Sequence, residues 1–266
     1  MEPDSPVADR SRAVTGCGFG SAVGEYAPAG VEPGSARWWL QRAELDRRRR
    51  PRVGGLSTER IIGAALDILR ADGLEALTVR AVAERLGTSN ASLYRHIASR
   101  DELIALIADH VMGGIRIERT GRGWRADIEA LMREMRRVIL SQPLPDSVGR
   151  NLHGYGPNML RIVNAAVAVF SAAGLAGEQA VHTAIAMIEL VAGGAAIQRS
   201  RAGRGGGGVP AGAGFDELLD SLPAGDVTAL RETGDVYLSA PADDVFAHSM
   251  GIFLDGVTSR LPAHGR

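Results

Sequence analysis

The stretch Ser89-Asn90-Ala91-Ser92-Leu93-Tyr94-Arg95-His96 leaves small and polar side chains on one face of a short helix. Leu93 and Ile97 are its inward positions, and Asn90, Ala91, Ser92, Tyr94 and Arg95 face outward. That face suits the edges of nucleic-acid bases: an Asn amide pairs with adenine, a small residue meets a thymine methyl, and Tyr and Ser hydroxyls reach phosphates. Bond-making chemistry finds little elsewhere. All 30 basic residues are Arg, so a phosphate-loop Lys, a kinase Lys and every Schiff base are excluded. The six His residues, at 96, 110, 153, 182, 248 and 264, have no metal-ligand spacing. No Gly-x-Ser-x-Gly elbow, His-Glu-x-x-His pair or dinucleotide fingerprint is present. The lone Cys17 allows neither an internal disulfide nor a Cys-based zinc site. No catalytic residue, cofactor or metal is expected.

The elements that would position this face are helices. Ala, Leu, Arg and Glu outnumber strand-favouring aromatics. Ile61, Ile62, Ala65, Leu66 and Leu69 share a face, and Gly73 can close that helix in a left-handed conformation. Thr78 can cap a second helix with Val79, Val82, Ala83 and Leu86 inward, and Gly87 supplies the turn into a third, capped by Ser89. Ser99 and Glu102 form a capping box that opens a fourth, running to about 116. Two short helices joined at Leu86-Gly87-Thr88-Ser89 meet the needs of a helix-turn-helix, although three helices that merely pack together would show the same pattern.

Leu56-Ser57-Thr58-Glu59-Arg60-Ile61-Ile62, Ala64-Ala65-Leu66, Asp72-Gly73-Leu74, Thr78-Val79-Arg80, Ala83-Glu84-Arg85-Leu86-Gly87 and Leu93-Tyr94-Arg95-His96 together resemble the tetracycline-repressor (TetR) family, densely over about 56–110. The resemblance implies that Arg80 and Asn90 read bases, with Ser89, Ala91 and Ser92 at the groove. Thr78, Tyr94 and His96 would hold phosphates. Arg100 stands where the family usually has Lys, and its charge keeps a phosphate contact open. The basic run ahead of the first helix, with Arg49, Arg50 and Arg52, is either a solvated charge run or an arm along the minor groove.

Beyond Gly121 the pattern predicts helices over roughly 123–141, 157–173, 177–199 and 242–261, with a flexible glycine-rich loop from Gly203 to Gly214. Apolar stripes run through Val181, Ile185 and Ile188 and through Phe246, Met250 and Leu254. They suit a core and also a four-helix interface with a second chain. Ala172-Ala173-Gly174-Leu175 and Phe246 to Val257 resemble the family's C-terminal type, in which these helices build the dimer and a pocket lies beside them. Trp124, Asn158, His182, Met187 and Glu189 interrupt apolar helices and are the candidate ligand contacts. Tetracycline sites of the family use a His-bound magnesium near the end of the helix after the linker; Arg137-Val138-Ile139-Leu140-Ser141 offers no His, so no metal is expected there.

The expected architecture is all-α: a disordered extension with a basic arm over 1–55, a three-helix helix-turn-helix domain over 56–102, and a helical ligand-binding and dimerisation bundle over 103–266. Its expected partners are a pseudo-palindromic double-stranded DNA operator, a second copy of itself and a small lipophilic ligand that releases it from DNA. Control by a protein partner instead of a ligand stays open. No signal segment is present and no apolar run is read as long enough to cross a bilayer, so a cytoplasmic location without membrane contact is expected.

Overall fold

The computed structural model describes residues 31–48, 55–142, 156–204 and 214–262, and the described residues are helical with no strand. The first helix, α1 (Ala36–Arg48), lies within the stretch expected to be disordered. The correction has a physical cause, because α1 has its own anchor. Trp38 and Arg42, one turn apart, are both buried, and Val31 and Trp39 pack against the same core. Burial of an indole offsets the ordering of a short amphipathic turn.

The next four helices follow their expected boundaries closely. Helix α2 (Thr58–Ala76) is capped by Ser57, whose hydroxyl accepts from Arg60 N at 3.3 Å. Gly73 takes a positive φ of 78, but its ψ of -175 is not that of the left-handed close expected, and the helix resumes for one more turn to Ala76. Helices α3 (Val79–Arg85) and α4 (Asn90–Tyr94) are capped by Thr78 and Ser89. Helix α5 (Arg100–Gly113) is capped by Ser99. The reciprocal bond of its capping box lands one residue early: Glu102 Oε2 accepts from Ala98 N at 2.8 Å, while Oε1 accepts from Trp38 Nε1 at 3.0 Å.

Helix α5 packs on α2 at one end and on α6 (Trp124–Ser141) and α7 (Pro157–Ala173) at the other. Its junction with α7 is a carboxylate clasp. Asp109 Oδ1 accepts from Asn158 N at 3.0 Å and Met159 N at 3.4 Å, and Oδ2 accepts from Asn158 Nδ2 at 2.9 Å. The two backbone donors belong to the first turn of α7, which a helix cannot satisfy itself. Desolvation nevertheless leaves the Asp109 carboxyl raised above its ordinary value, with the Asn158 and Met159 bonds opposing that rise.

The connection from α5 to α6 is tied to α6 at two points. Thr120 N and Oγ1 donate to Asp127 at 2.7 and 2.6 Å. Glu134 receives Arg137 at 2.7 Å and Arg116 at 3.1 Å. Arg137, followed by Arg116, holds the Glu134 carboxyl down from 4.5 to about 2. A folded value below the unfolded one contributes stability that is complete above about 4.5 and lost as pH falls through about 2. Glu134→Gln should therefore melt below the wild type at pH 6, with the gap closing by pH 2 in a thermal-denaturation series. A gap independent of pH would refute this linkage.

Helix α8 (Gly177–Arg204) runs through the body against α6, α7 and α11 (Ala242–Arg260). By length and composition its segment 177–201 could cross a membrane, which corrects the expectation that no apolar run is that long. Runs such as Ala184, Met187, Ile188, Val191 and Ala195 make it so, and these are buried against the other helices. Two helices were not foreseen: α9 (Phe215–Ser221) and α10 (Ala224–Ser239). They fold on each other, with Phe215 stacked on Tyr237 at 5.9 Å and Arg231 bound to Asp220 at 2.5 Å. Their apolar residues do not gather on one buried face: Leu219 and Val227 are buried, while Leu218, Val236, Tyr237 and Leu238 are exposed. Of the expected glycine loop, Gly203 is helical, and 205–213 lie outside the described residues.

Candidate nucleic-acid interface

Helix α3, a turn and helix α4 form the unit foreseen between Thr78 and His96. Thr78 Oγ1 accepts from Ala81 N at 3.0 Å, and Ser89 Oγ accepts from Ser92 N at 3.1 Å, so both predicted phosphate or groove residues also serve as caps. Gly87 has φ 61, and its neighbours close the turn through Gly87 N to Glu84 O at 3.1 Å and Thr88 N to Ala83 O at 3.0 Å. A side chain at that φ would strain the reversal. Leu93 and Ile97, each 1% exposed, fasten the five-residue α4 to the core.

The opposite face of α4 is open. Asn90, Ala91, Tyr94 and Arg95 are exposed and Ser92 is half-buried. Tyr94 is 50% exposed, an unusual position for a tyrosine that only packs. Arg80 is exposed and paired with Glu84 at 2.8 Å, so turning to a base edge requires exchanging that weak surface pair. Arg100 is more committed: Nε donates to Leu77 O at 2.9 Å and Nη2 to Leu74 O at 2.7 Å. Its Nη1 keeps donors beyond those two bonds. His96 is half-buried, and its carbonyl accepts from Arg42 Nη1 at 2.9 Å. Arg49, Arg50 and Arg52 lie outside the described residues. Just before them, Arg47 and Arg48 are exposed and share Glu44 at 2.7 and 2.8 Å.

Sequence reasoning missed Trp38 and Arg42, which bond to this unit, and Asp109, which ties α5 to α7. The only signal for the first two was a tryptophan pair followed by an arginine one turn on, in a stretch otherwise without apolar period.

Residues 61–107 match the family described as bacterial regulatory proteins, tetR family. Residues 118–261, more than half of the chain, match the tetracyclin repressor-like C-terminal domain. The chain belongs to the tetR family. It is thus a helix-turn-helix, DNA-binding transcriptional regulator and not an enzyme. Among its relatives is an HTH-type transcriptional regulator of Saccharopolyspora erythraea, 36% identical over 120 residues, which cover 45% of this chain and 51% of that protein. The HTH-type transcriptional repressor DrrR1 of Streptomyces coeruleorubidus is 33% identical over 149 residues, covering 54% of this chain and 55% of DrrR1. The chain spans about half the length of these curated relatives. The crystal structure of the TetR family protein ActR of Streptomyces coelicolor in complex with actinorhodin aligns with a TM-score of 0.67 at 29% identity. That alignment covers 77% of this chain and 98% of ActR.

The five candidate ligand contacts do not converge on one wall. Met187 is fully buried, whereas His182 and Glu189 are exposed on the far side of the same helix. Asn158 is spent on the Asp109 clasp. Trp124 is half-buried, its ring 6.4 Å from that of Phe170, which in turn meets Phe253 at 6.4 Å.

Proposed function

We propose that this regulator is a repressor, bound as a homodimer to a pseudo-palindromic operator and released by a small lipophilic ligand. The observation that carries the reading is the one-turn helix α4, fastened by Leu93 and presenting Asn90, Ala91 and Tyr94 to solvent. Asn90 and Arg80 read base edges with Ser89, Ala91 and Ser92 at the groove, and Thr78, Tyr94, His96 and Arg100 hold phosphates. One such helix covers only a few base pairs, so specificity needs two copies. Support for a dimer comes from α8 and α11, which leave Val181, Ile185, Val245 and Ile252 exposed, the last at 61%. On this reading His182 and Glu189 belong to the interface between copies rather than to a pocket within one.

The ligand reading rests on Trp124, Phe170 and Phe253, three aromatic rings in the same helical body as the interior residue Met187. The actinorhodin held by ActR supports the same ligand class, a lipophilic compound able to stack. Helix α5 is shared by a reading domain of 56–102 and a sensing domain of 103–266. Ligand binding shifts the population towards a dimer whose reading helices no longer match successive grooves. Its work on DNA places the protein in the cytoplasm.

Gel-shift binding to the DNA upstream of its own gene, with and without lipophilic aromatic compounds, tests the proposal. A specific complex at moderate salt that such a compound dissolves is expected, and no specific complex would overturn it. The arm is tested separately, because deletion through Arg52 would also remove α1. Replacing Arg49, Arg50 and Arg52 by Gln should weaken binding and reduce the salt slope by about 0.9 for each phosphate that is no longer neutralised. An unchanged slope would make the run a solvated one.

A further inference from the structure

Helix α1 lies outside both matched regions, which begin at residue 61, and it is bonded through Arg42 and Trp38 to the reading unit. Arg42 is 4% exposed. Its Nη1 donates to His96 O at 2.9 Å and its Nη2 to Thr58 Oγ1 at 3.1 Å. The guanidinium stands 5.9 Å from the Trp38 ring, and Nε faces Asp46 Oδ2 at 3.7 Å. Trp38 Nε1 donates to Glu102 at 3.0 Å, and the same carboxylate accepts from Ala98 N.

These bonds converge on the exit of α4. A five-residue helix is too short to hold itself together, and its last carbonyls have no partner within it. Ser89 closes the entry of α4, and Leu93 and Ile97 hold its inner side. At the exit, His96 N and Ile97 N turn back onto Leu93 O at 2.7 and 3.0 Å, and His96 O is taken from outside the reading unit by Arg42 Nη1, one arm of the guanidinium fork. That fork also grips the first residue of α2, and Glu102 fixes the segment from Ala98 into α5.

We propose that α1 is a strap that sets the attitude of the reading helix, with Arg42 and Trp38 as positioning residues for operator recognition. The strap acts through backbone geometry and touches no base. It rests on the operator-binding reading above. Its loss therefore lowers specificity and leaves non-specific affinity for DNA unchanged.

The test uses the full chain with Arg42→Met, which keeps length and apolar packing but removes the fork. A second variant, Trp38→Phe, keeps a buried ring and loses only the bond to Glu102. Arg42→Met should bind operator about tenfold more weakly, as removal of a charge-assisted bond would give. Binding to random-sequence DNA and the salt slope on operator should stay as in the wild type. Arg42→Lys, which can keep one of the two bonds, should fall between. In hydrogen exchange without DNA, amides of 89–97 should exchange faster in Arg42→Met while those of α6 and α8 do not change. Trp38→Phe should speed exchange in 96–102 in the same way.

A fall in melting temperature with operator affinity unchanged would reduce α1 to a stabilising element and overturn the proposal. A reduced salt slope, with operator and random DNA weakened alike, would also overturn it by making Arg42 a phosphate ligand. If the wild type itself fails to distinguish operator from random DNA, the operator reading falls. The exchange of 89–97 still decides whether Arg42 orders α4.

Discussion

Replacing Leu93 by Ala is expected to lower stability by about 2–5 kcal/mol, the range for a fully buried leucine in a core that cannot collapse around the gap. The site can relax little. Leu93 is 1% exposed on a helix of a single turn, and Ile97 is the only other deeply buried side chain between Ser89 and Ser99. Most of the apolar attachment of α4 therefore goes with it. Operator binding should fall further than stability alone requires, because Asn90 and Tyr94 point outward only while Leu93 points inward. Leu93→Met conserves volume and should cost less than about 1.5 kcal/mol with operator binding retained. Urea denaturation and gel shift on the three proteins provide the check. A loss under about 1 kcal/mol for Leu93→Ala would mean that α4 is held by something other than its core packing.

The second large effect is expected at Gly156. A Cβ there would fall 2.2 Å from Asp109 Oδ1 and 2.7 Å from its Cγ, so the clasp cannot persist unchanged. Gly156→Ala should cost about 2–4 kcal/mol, combining disruption of the bonds to Asn158 and Met159 with displacement of α5 from α7. Asp109→Ala removes the same acceptor without the clash and leaves first-turn donors that water can reach, so about 1–2 kcal/mol is expected. The double variant decides the cause. If the carboxylate is what a methyl group collides with, the two losses fall well short of additive. Additive losses in thermal denaturation would assign Gly156 to the approach to α7 instead of the clasp. The clasp is one of the links between the body and α5, so Gly156→Ala should also weaken the response of DNA binding to any ligand.

What the sequence revealed and what it concealed divide along physical lines. Helices α2 to α5 were legible because each carries both a period and a punctuation mark: Ser57, Thr78, Ser89 and Ser99 cap, and Gly73 and Gly87 turn. The outward set on α4 followed from the same period. Helix α1 was hidden, since two buried residues in thirteen make no stripe and its stability comes from partners 54 and 64 positions away. The α9–α10 hairpin was hidden for a related reason, as most of its large apolar residues, including Leu218, Val236 and Tyr237, stay exposed. Capping residues misled in one respect. Asn158 interrupts an apolar helix and so suggested a pocket, yet its amide closes a clasp onto Asp109 Oδ2. A polar residue at a helix start meets the needs of backbone donors before those of a ligand.

The strap has an optical consequence. Of the three tryptophans in the chain, Trp38 and Trp39 meet edge to face at 4.7 Å on α1, and Trp124 stands beside Phe170 in the body. The two halves of the regulator thus carry separate intrinsic fluorophores. In Trp124→Phe the remaining emission comes from the α1 pair and reports on the exit of the reading helix, so an operator fragment should shift it. In the double variant Trp38→Phe, Trp39→Phe the signal comes from Trp124 alone, and an aromatic ligand stacking there should quench it. Both events can then be followed on unlabelled protein.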